Sequence, residues 1–202
     1  MFTFITLVVL GILLGIVLMQ LFKKTTPPPA PAADLANLKV TDARAGDALS
    51  ISGAGENYAD LDFTVDRVIN YDANTRRWRE LSGPYLERRV SVRVGGDDEV
   101  EVHLHSDPRK LTVEDLGLSE EDLAEMDERQ NTGDTFEFDK RTWQYRISRE
   151  VHTENASFYY WEFQEQAGKG LLAVRKSEGE PFAVTLYTAL LPQDVNVYRG
   201  QQ

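Results

Sequence analysis

The 202-residue chain has no cysteine, so neither a disulfide nor a thiolate nucleophile is possible. That absence suits a reducing compartment and equally an exported protein without disulfides, so it does not place the chain. Histidine is scarce, with three residues. Positive charge is short as well: 22 lysines and arginines face 33 aspartates and glutamates, a formal net charge of −11. Nucleic-acid binding needs a cationic footprint and is disfavoured on this balance, so no nucleic-acid partner is expected. There is no serine elbow, no phosphate-cradling glycine loop and no His/Asp cluster at metal-ligand spacing. No catalytic residue, metal site or cofactor is assigned, and the chain is read as a non-enzyme.

What is present begins with MFTFITLVVLGILLGIVLMQLFKK, where Phe2 to Phe22 carries no charge. As a helix this run spans about 31 Å, the thickness of a bilayer's hydrocarbon core. A secretory signal places basic residues before a shorter apolar core. None precedes this one, so the run is expected to be a retained single transmembrane helix over residues 2–22. Lys23 and Lys24 follow it, and lysines beside a helix end favour the cytoplasm. The expectation is a single-pass protein of the cell inner (plasma) membrane with its C-terminal domain cytoplasmic. Gly11 and Gly15 form a G-x-x-x-G, a spacing that lets two membrane helices approach as a homodimer.

TTPPPAPAAD follows, and clustered prolines favour an extended, solvated tether. From Ala43 onward, about 160 residues suffice for one ordinary domain or two small ones. With Lys23 and Lys24 set aside, 20 basic residues face the 33 acidic ones, a balance of −13. The patterning is that of half-buried strands. RRVSVRV puts Val90, Val92 and Val94 opposite Arg89, Ser91 and Arg93; EVEVHLH puts Val100, Val102 and Leu104 opposite Glu101, His103 and His105. Matching the apolar faces across GGDDE pairs Val94 with Val100 and Arg93 with Glu101. Glu101, His103 and His105 then share a polar face that a cross-strand ion pair explains without a metal. SEEDLAEMDERQ is the one helix, with Ser119 and Asp122 as a capping box and Gly133 as its stop.

Two stretches align. Gly46-Asp47 matches Gly133-Asp134, Trp78-Arg79-Glu80-Leu81 matches Tyr160-Trp161-Glu162-Phe163, Val90–Val94 matches Leu171–Val174, and Val100–Leu104 matches Phe182–Leu186. This reads as an internal repeat. The fold class is therefore mainly β: a single transmembrane helix, a Pro-rich linker, then two similar halves, as small antiparallel sheets or barrel-like, joined by one acidic helix. The segments are a 1–24 anchor, a 25–42 linker, a 43–118 first β half, a 119–132 helix and a 133–202 second β half. The order G-D, aromatic-x-V strand, W-x-E, apolar strand and closing aliphatic-x-x-D-aliphatic resembles the bacterial family called domain of unknown function 4178, as two tandem copies. That family has no established catalytic residues to carry over. The resemblance implies membrane-associated housekeeping or stress biology, beside ion-channel and polyamine-synthesis proteins.

Two interaction surfaces stand out. In FYYWEF, Tyr159, Trp161 and Phe163 share one strand face, and aromatic residues are enriched where partners bind. Glu121, Glu125 and Glu128 on the acidic helix attract a basic partner or a polyamine by long-range charge. Six arginines between Arg76 and Arg93 are read as ion-pairing with the abundant carboxylates. The expected function is an adaptor or assembly component that binds a protein partner. The alternative is an enzyme or sensor of a small cation such as a polyamine.

Overall fold

The computed structural model describes residues 38–96, 99–168 and 170–200. The expected membrane span, Gly11 and Gly15, and the proline-rich stretch to residue 37 lie outside the described residues. Among the described residues no helix is long and apolar enough to cross a membrane.

Twelve strands and one α-helix follow in order: β1 (Ala48–Ile51), β2 (Leu61–Thr64), β3 (Arg67–Asp72), β4 (Arg77–Tyr85), β5 (Arg88–Gly95), β6 (Glu101–His105), α1 (Glu120–Arg129), β7 (Thr135–Phe138), β8 (Arg141–His152), β9 (Ser157–Glu165), β10 (Leu171–Lys176), β11 (Ala183–Leu190) and β12 (Val195–Tyr198). All the pairings between these strands are antiparallel. The expected fold class is corrected here. Neither a membrane-spanning helix nor two separate small sheets is found among the described residues. The strands form one nine-stranded sheet, β3-β4-β5-β6-β11-β10-β9-β8-β7, and one three-stranded sheet, β12-β1-β2. The first half supplies a four-stranded meander, β3 to β6, and the second a five-stranded one, β7 to β11, and the two join edge to edge through β6 and β11. On the far side β3 meets β8 at one residue pair, Asp72 with His152. Eight strands thus close into a barrel, the size at which side chains alone fill the interior. The physical reason is edge satisfaction: two open meanders leave four unpaired edges, and joining them removes most of that exposure.

The small sheet also crosses the halves. Tyr198 of β12 pairs with Ala48 of β1. Asp47, 1% exposed, accepts from Arg199 Nη1 at 2.9 Å and from the Arg44 amide at 3.0 Å, which pins the C-terminal strand. This sheet lies over the outer face of β4–β6, where Leu49, Ile51, Leu61 and Phe63 pack with Leu81, Val92 and Leu104. At Gly83 a Cβ would stand 2.0 Å from the Thr64 carbonyl oxygen, so the missing side chain is what admits β2 against β4.

A second apolar layer covers the other meander. The Ser119/Asp122 capping box forms in both directions, with Ser119 Oγ accepting from the Asp122 amide at 3.1 Å. Gln130 in the left-handed region, φ 47°, ends the helix three residues before the expected Gly133 stop. Leu123 and Met126 are buried against Trp143, Trp161, Phe163 and Leu172. Asp127 fixes the helix to the sheet by accepting from Tyr159 Oη at 2.6 Å and from the Ser148 hydroxyl.

The valine face of β5 therefore packs outward against the small sheet, while Ser91 and Arg93 of the other face are buried in the barrel and Arg89 stays exposed. The register of β5 with β6 is also corrected: Val94 pairs with Val102, not Val100, and Arg93 with His103, not Glu101. The side-chain faces are unchanged, because the slip is two residues. It leaves Val100 outside the ladder and 48% exposed.

Candidate functional site

The barrel interior brings together residues from strands far apart in sequence. Its middle is a buried ion network. Glu162 of β9, 1% exposed, accepts from Arg93 Nη2 at 2.7 Å and Arg76 Nη1 at 2.8 Å, with Arg146 Nη1 at 3.1 Å. Tyr160 Oη donates to it at 3.2 Å. Burial opposes ionisation of Glu162, but the Arg93, Arg76 and Arg146 charges outweigh it and hold its carboxyl down at about 2. Glu101 takes the other edge of Arg146 at 2.8 Å and Arg76 Nη2 at 2.9 Å, and its carboxyl is held low against its own burial. The expected Arg93–Glu101 pair is thus replaced, because the two-residue register slip puts Glu101 opposite Gly95.

Glu101, His103 and His105 do not lie on an exposed strand face. His103 is 5% exposed inside the barrel, and its burial, reinforced by the Arg93 charge, pushes its imidazole down to about 4. His105 accompanies it on the same face, with Nδ1–H donating to the Leu186 carbonyl at 3.0 Å.

At the His105 end the network gives way to a cavity of about 160 Å³. Its walls are aromatic: Tyr71, Trp78, Phe158, Tyr160 and Tyr187. Gly95 sits opposite Trp78, and a Cβ there would be 2.5 Å from the Trp78 Cβ, so glycine makes room for the indole. Trp78 is engaged by Tyr71, stacked at 5.2 Å, and by the Arg93 guanidinium 4.5 Å from the ring centre. The one carboxylate among the cavity's lining residues is Glu80. Strand pairing sets Glu80 directly across from Arg93, a ready ion pair. Arg93 instead reaches over the barrel to Glu162 and Tyr160. Among the described residues, no lysine or arginine comes within ion-pairing distance of Glu80. It accepts two long hydrogen bonds, from Tyr187 Oη at 3.4 Å and Tyr71 Oη at 3.5 Å. Burial, with the Glu80 charge beside them, pushes both tyrosine hydroxyls up, so both stay protonated at neutral pH. Arg175 stands exposed at the cavity's mouth, laid 5.2 Å from the Phe158 ring centre.

The residues singled out from sequence fall elsewhere. Trp161 and Phe163 are 7% and 0% exposed, Tyr159 is half-buried, and all three lie beneath α1. Trp161 Nε1 donates to the Leu123 carbonyl at 3.0 Å. That aromatic face is taken by the chain's own helix. Glu121, Glu125 and Glu128 are exposed on α1, and Glu125 pairs with Arg129 at 2.9 Å. The arginine-rich segment divides: Arg76 and Arg93 enter the barrel, Arg77 and Arg89 pair with Asp72 and Asp66, and Arg79 and Arg88 bond backbone carbonyls. Glu80 was legible only as one member of a repeated aromatic-x-Glu position, whose other copy is Glu162. No family model matches the chain, and no curated protein or solved structure matches it either.

Proposed function

We propose that this protein is a ligand-binding β-barrel that takes a small primary amine at Glu80, acting by binding and not by catalysis. The observation that carries this reading is the Glu80 carboxylate, which has no cationic partner among the described residues and opens into an aromatic-walled cavity. A primary ammonium has three N–H donors. The cavity offers three acceptors to match them: the carboxylate and the Tyr71 and Tyr187 hydroxyl oxygens. Replacing two long hydroxyl bonds by charge-assisted ones in a partly desolvated site supplies the affinity. A quaternary ammonium lacks those donors, and the best aromatic ring, Trp78, already carries the Tyr71 ring and the Arg93 guanidinium. This is the small-cation alternative among the expected functions, narrowed to a binding role.

Putrescine or spermidine is expected to raise the melting temperature in a dose-dependent manner, and added salt is expected to weaken the effect. Tetramethylammonium is expected to give no shift. Glu80→Gln keeps an acceptor for the tyrosines and is expected to weaken amine binding about a hundredfold, as loss of a buried charge partner does. Arg175→Gln removes a like charge from the mouth and is expected to tighten binding roughly threefold. Titration calorimetry at fixed ionic strength reads all of these. Equal amine affinity in wild type and Glu80→Gln rules the reading out.

A further inference from the structure

The amine cavity carries opposite charges at its inner end and its rim. Inside, Glu80 takes its two long tyrosine bonds on one oxygen, Oε2, and Oε1 has no hydrogen bond among the described residues. The one fully buried side-chain nitrogen or oxygen without a partner among them is His103 Nδ1, so Glu80 Oε1 is reached by solvent. At the rim stands Arg175. It pairs across the sheet with Tyr160 and shares that residue's face, the barrel interior. Its guanidinium lies over the Phe158 ring, a contact that uses a flat face and leaves the N–H edge free. Arg175 has no ion pair and no side-chain hydrogen bond among the described residues.

The space between the two charges is aromatic and short. Tyr71, whose hydroxyl donates to Glu80, stands edge-on to Phe158 at 6.0 Å, so two rings separate Glu80 from Arg175. Burial and the Glu80 charge push the Tyr71 hydroxyl up, while the Arg175 charge pulls it down, so this one hydroxyl lies within reach of both ends. Cross-strand register puts Tyr187 level with Leu171, and Arg175 follows four residues farther along β10, about 13 Å of strand. At about 160 Å³ the cavity is smaller than the pockets that take drug-sized molecules, so its ligand is short.

The charges around the rim decide what the outer end of that ligand carries. An outer groove shares Tyr71, Phe158 and Arg175 with the cavity and adds Arg67, Glu154 and Glu180. Two cations and two carboxylates balance there. A diamine would set its second ammonium beside Arg175 before reaching either outer carboxylate. A carboxylate in that place meets the free guanidinium edge. An α-amino acid holds both charges on one carbon and does not span two rings.

Resting on the amine reading of Glu80, we propose that the ligand is a short ω-amino acid, its ammonium on Glu80, its carboxylate on Arg175 and its unbranched chain along the Tyr71 and Phe158 rings.

The test is titration calorimetry of the full chain at fixed ionic strength. The probes are 4-aminobutanoate and 6-aminohexanoate, each against its own amide, with putrescine and 2-aminobutanoate alongside. The amides keep the ammonium and the length and lack the negative charge. At least one ω-amino acid is expected to bind about fivefold more tightly than its amide, as an ion pair to an exposed arginine gives. It is also expected to bind more tightly than putrescine, and 2-aminobutanoate more weakly than any of them. Arg175→Gln is expected to weaken that ω-amino acid about fivefold while tightening its amide and putrescine roughly threefold. Opposite signs in one variant separate a carboxylate contact from a general change in the mouth. Arg175 is exposed, so the variant does not threaten the fold, and the comparison with the amides needs no variant. Amides that bind as tightly as both ω-amino acids, putrescine binding more tightly than either, or a change of the same sign for both ligand classes in Arg175→Gln would overturn this proposal and leave the amine reading standing. Affinities unchanged in Glu80→Gln for every probe would overturn both.

Discussion

Glu162→Gln is expected to destabilise the fold by about 3–5 kcal/mol. The substitution keeps the volume of the side chain and removes only its charge. Arg93, at 3% exposure, then loses its one anionic partner among the described residues, and Arg76 and Arg146 each lose an anionic contact in the barrel's centre. Guanidinium groups do not deprotonate to escape such a site, so the charge stays and water must enter or the barrel must open. The amide also turns an N–H₂ toward donors that already lack acceptors. Urea denaturation measures the loss. Arg77→Ala, which removes an exposed pair with Asp72, serves as the comparison and is expected to cost less than about 1 kcal/mol. A loss below about 1 kcal/mol in Glu162→Gln would show that the network is solvated in the native protein and does not hold the barrel.

Acidification is expected to remove stability in two stages, the first of them between about pH 6.5 and pH 4. In the unfolded chain His103 takes up a proton near its ordinary value of 6.5, whereas in the barrel it resists protonation down to about 4. The groups facing it are Arg93, Glu101, Glu162 and Arg146, and burial together with the two arginines outweighs the two carboxylates. Across that window the unfolded chain binds more protons than the native one, so stability falls as pH falls, on the order of 3 kcal/mol in all. The second stage belongs to Glu162. Its ionised form is favoured in the native state, so its contribution is present above its ordinary 4.5 and is lost as pH falls toward about 2. Denaturation curves at a series of pH values separate the stages. His103→Phe is expected to flatten the first stage and leave the second. A wild-type curve with no slope between pH 6.5 and pH 4 would mean that His103 is solvated.

The division between the two levels of information is sharpest on β5. Its alternation was legible: Val90, Val92 and Val94 do share one face, and Arg93 takes the other. The mainly β class, the hairpin between β5 and β6, and the Ser119 capping box were legible for the same reason, since each depends on residues a few positions apart. What covers each face was not. Alternation says that two faces differ; it does not say which one meets water. Here the small sheet caps the valines and the barrel encloses Arg93, and only Arg89 of the other face meets water. The register of β5 with β6 slipped by two because apolar matching is equally well met at every second step.

The remaining decisions were made by residues far apart in sequence. Ala48 meets Tyr198, and Asp72 meets His152, across separations that no local pattern encodes. Arg93 leaves its cross-strand neighbour Glu80 for Glu162, 69 positions away, and that choice leaves Glu80 with no ion pair among the described residues. The same closure hides Tyr159, Trp161 and Phe163 under a helix that sequence presents as a separate charged surface. By itself the sequence determined which residues form strands, which side each residue takes and where the helix begins, because backbone sterics and capping act within a few residues. Only the tertiary structure decided which charges are paired with which, because the energy of a charge is set by whatever lies within a few ångströms of it, whichever strand supplies it.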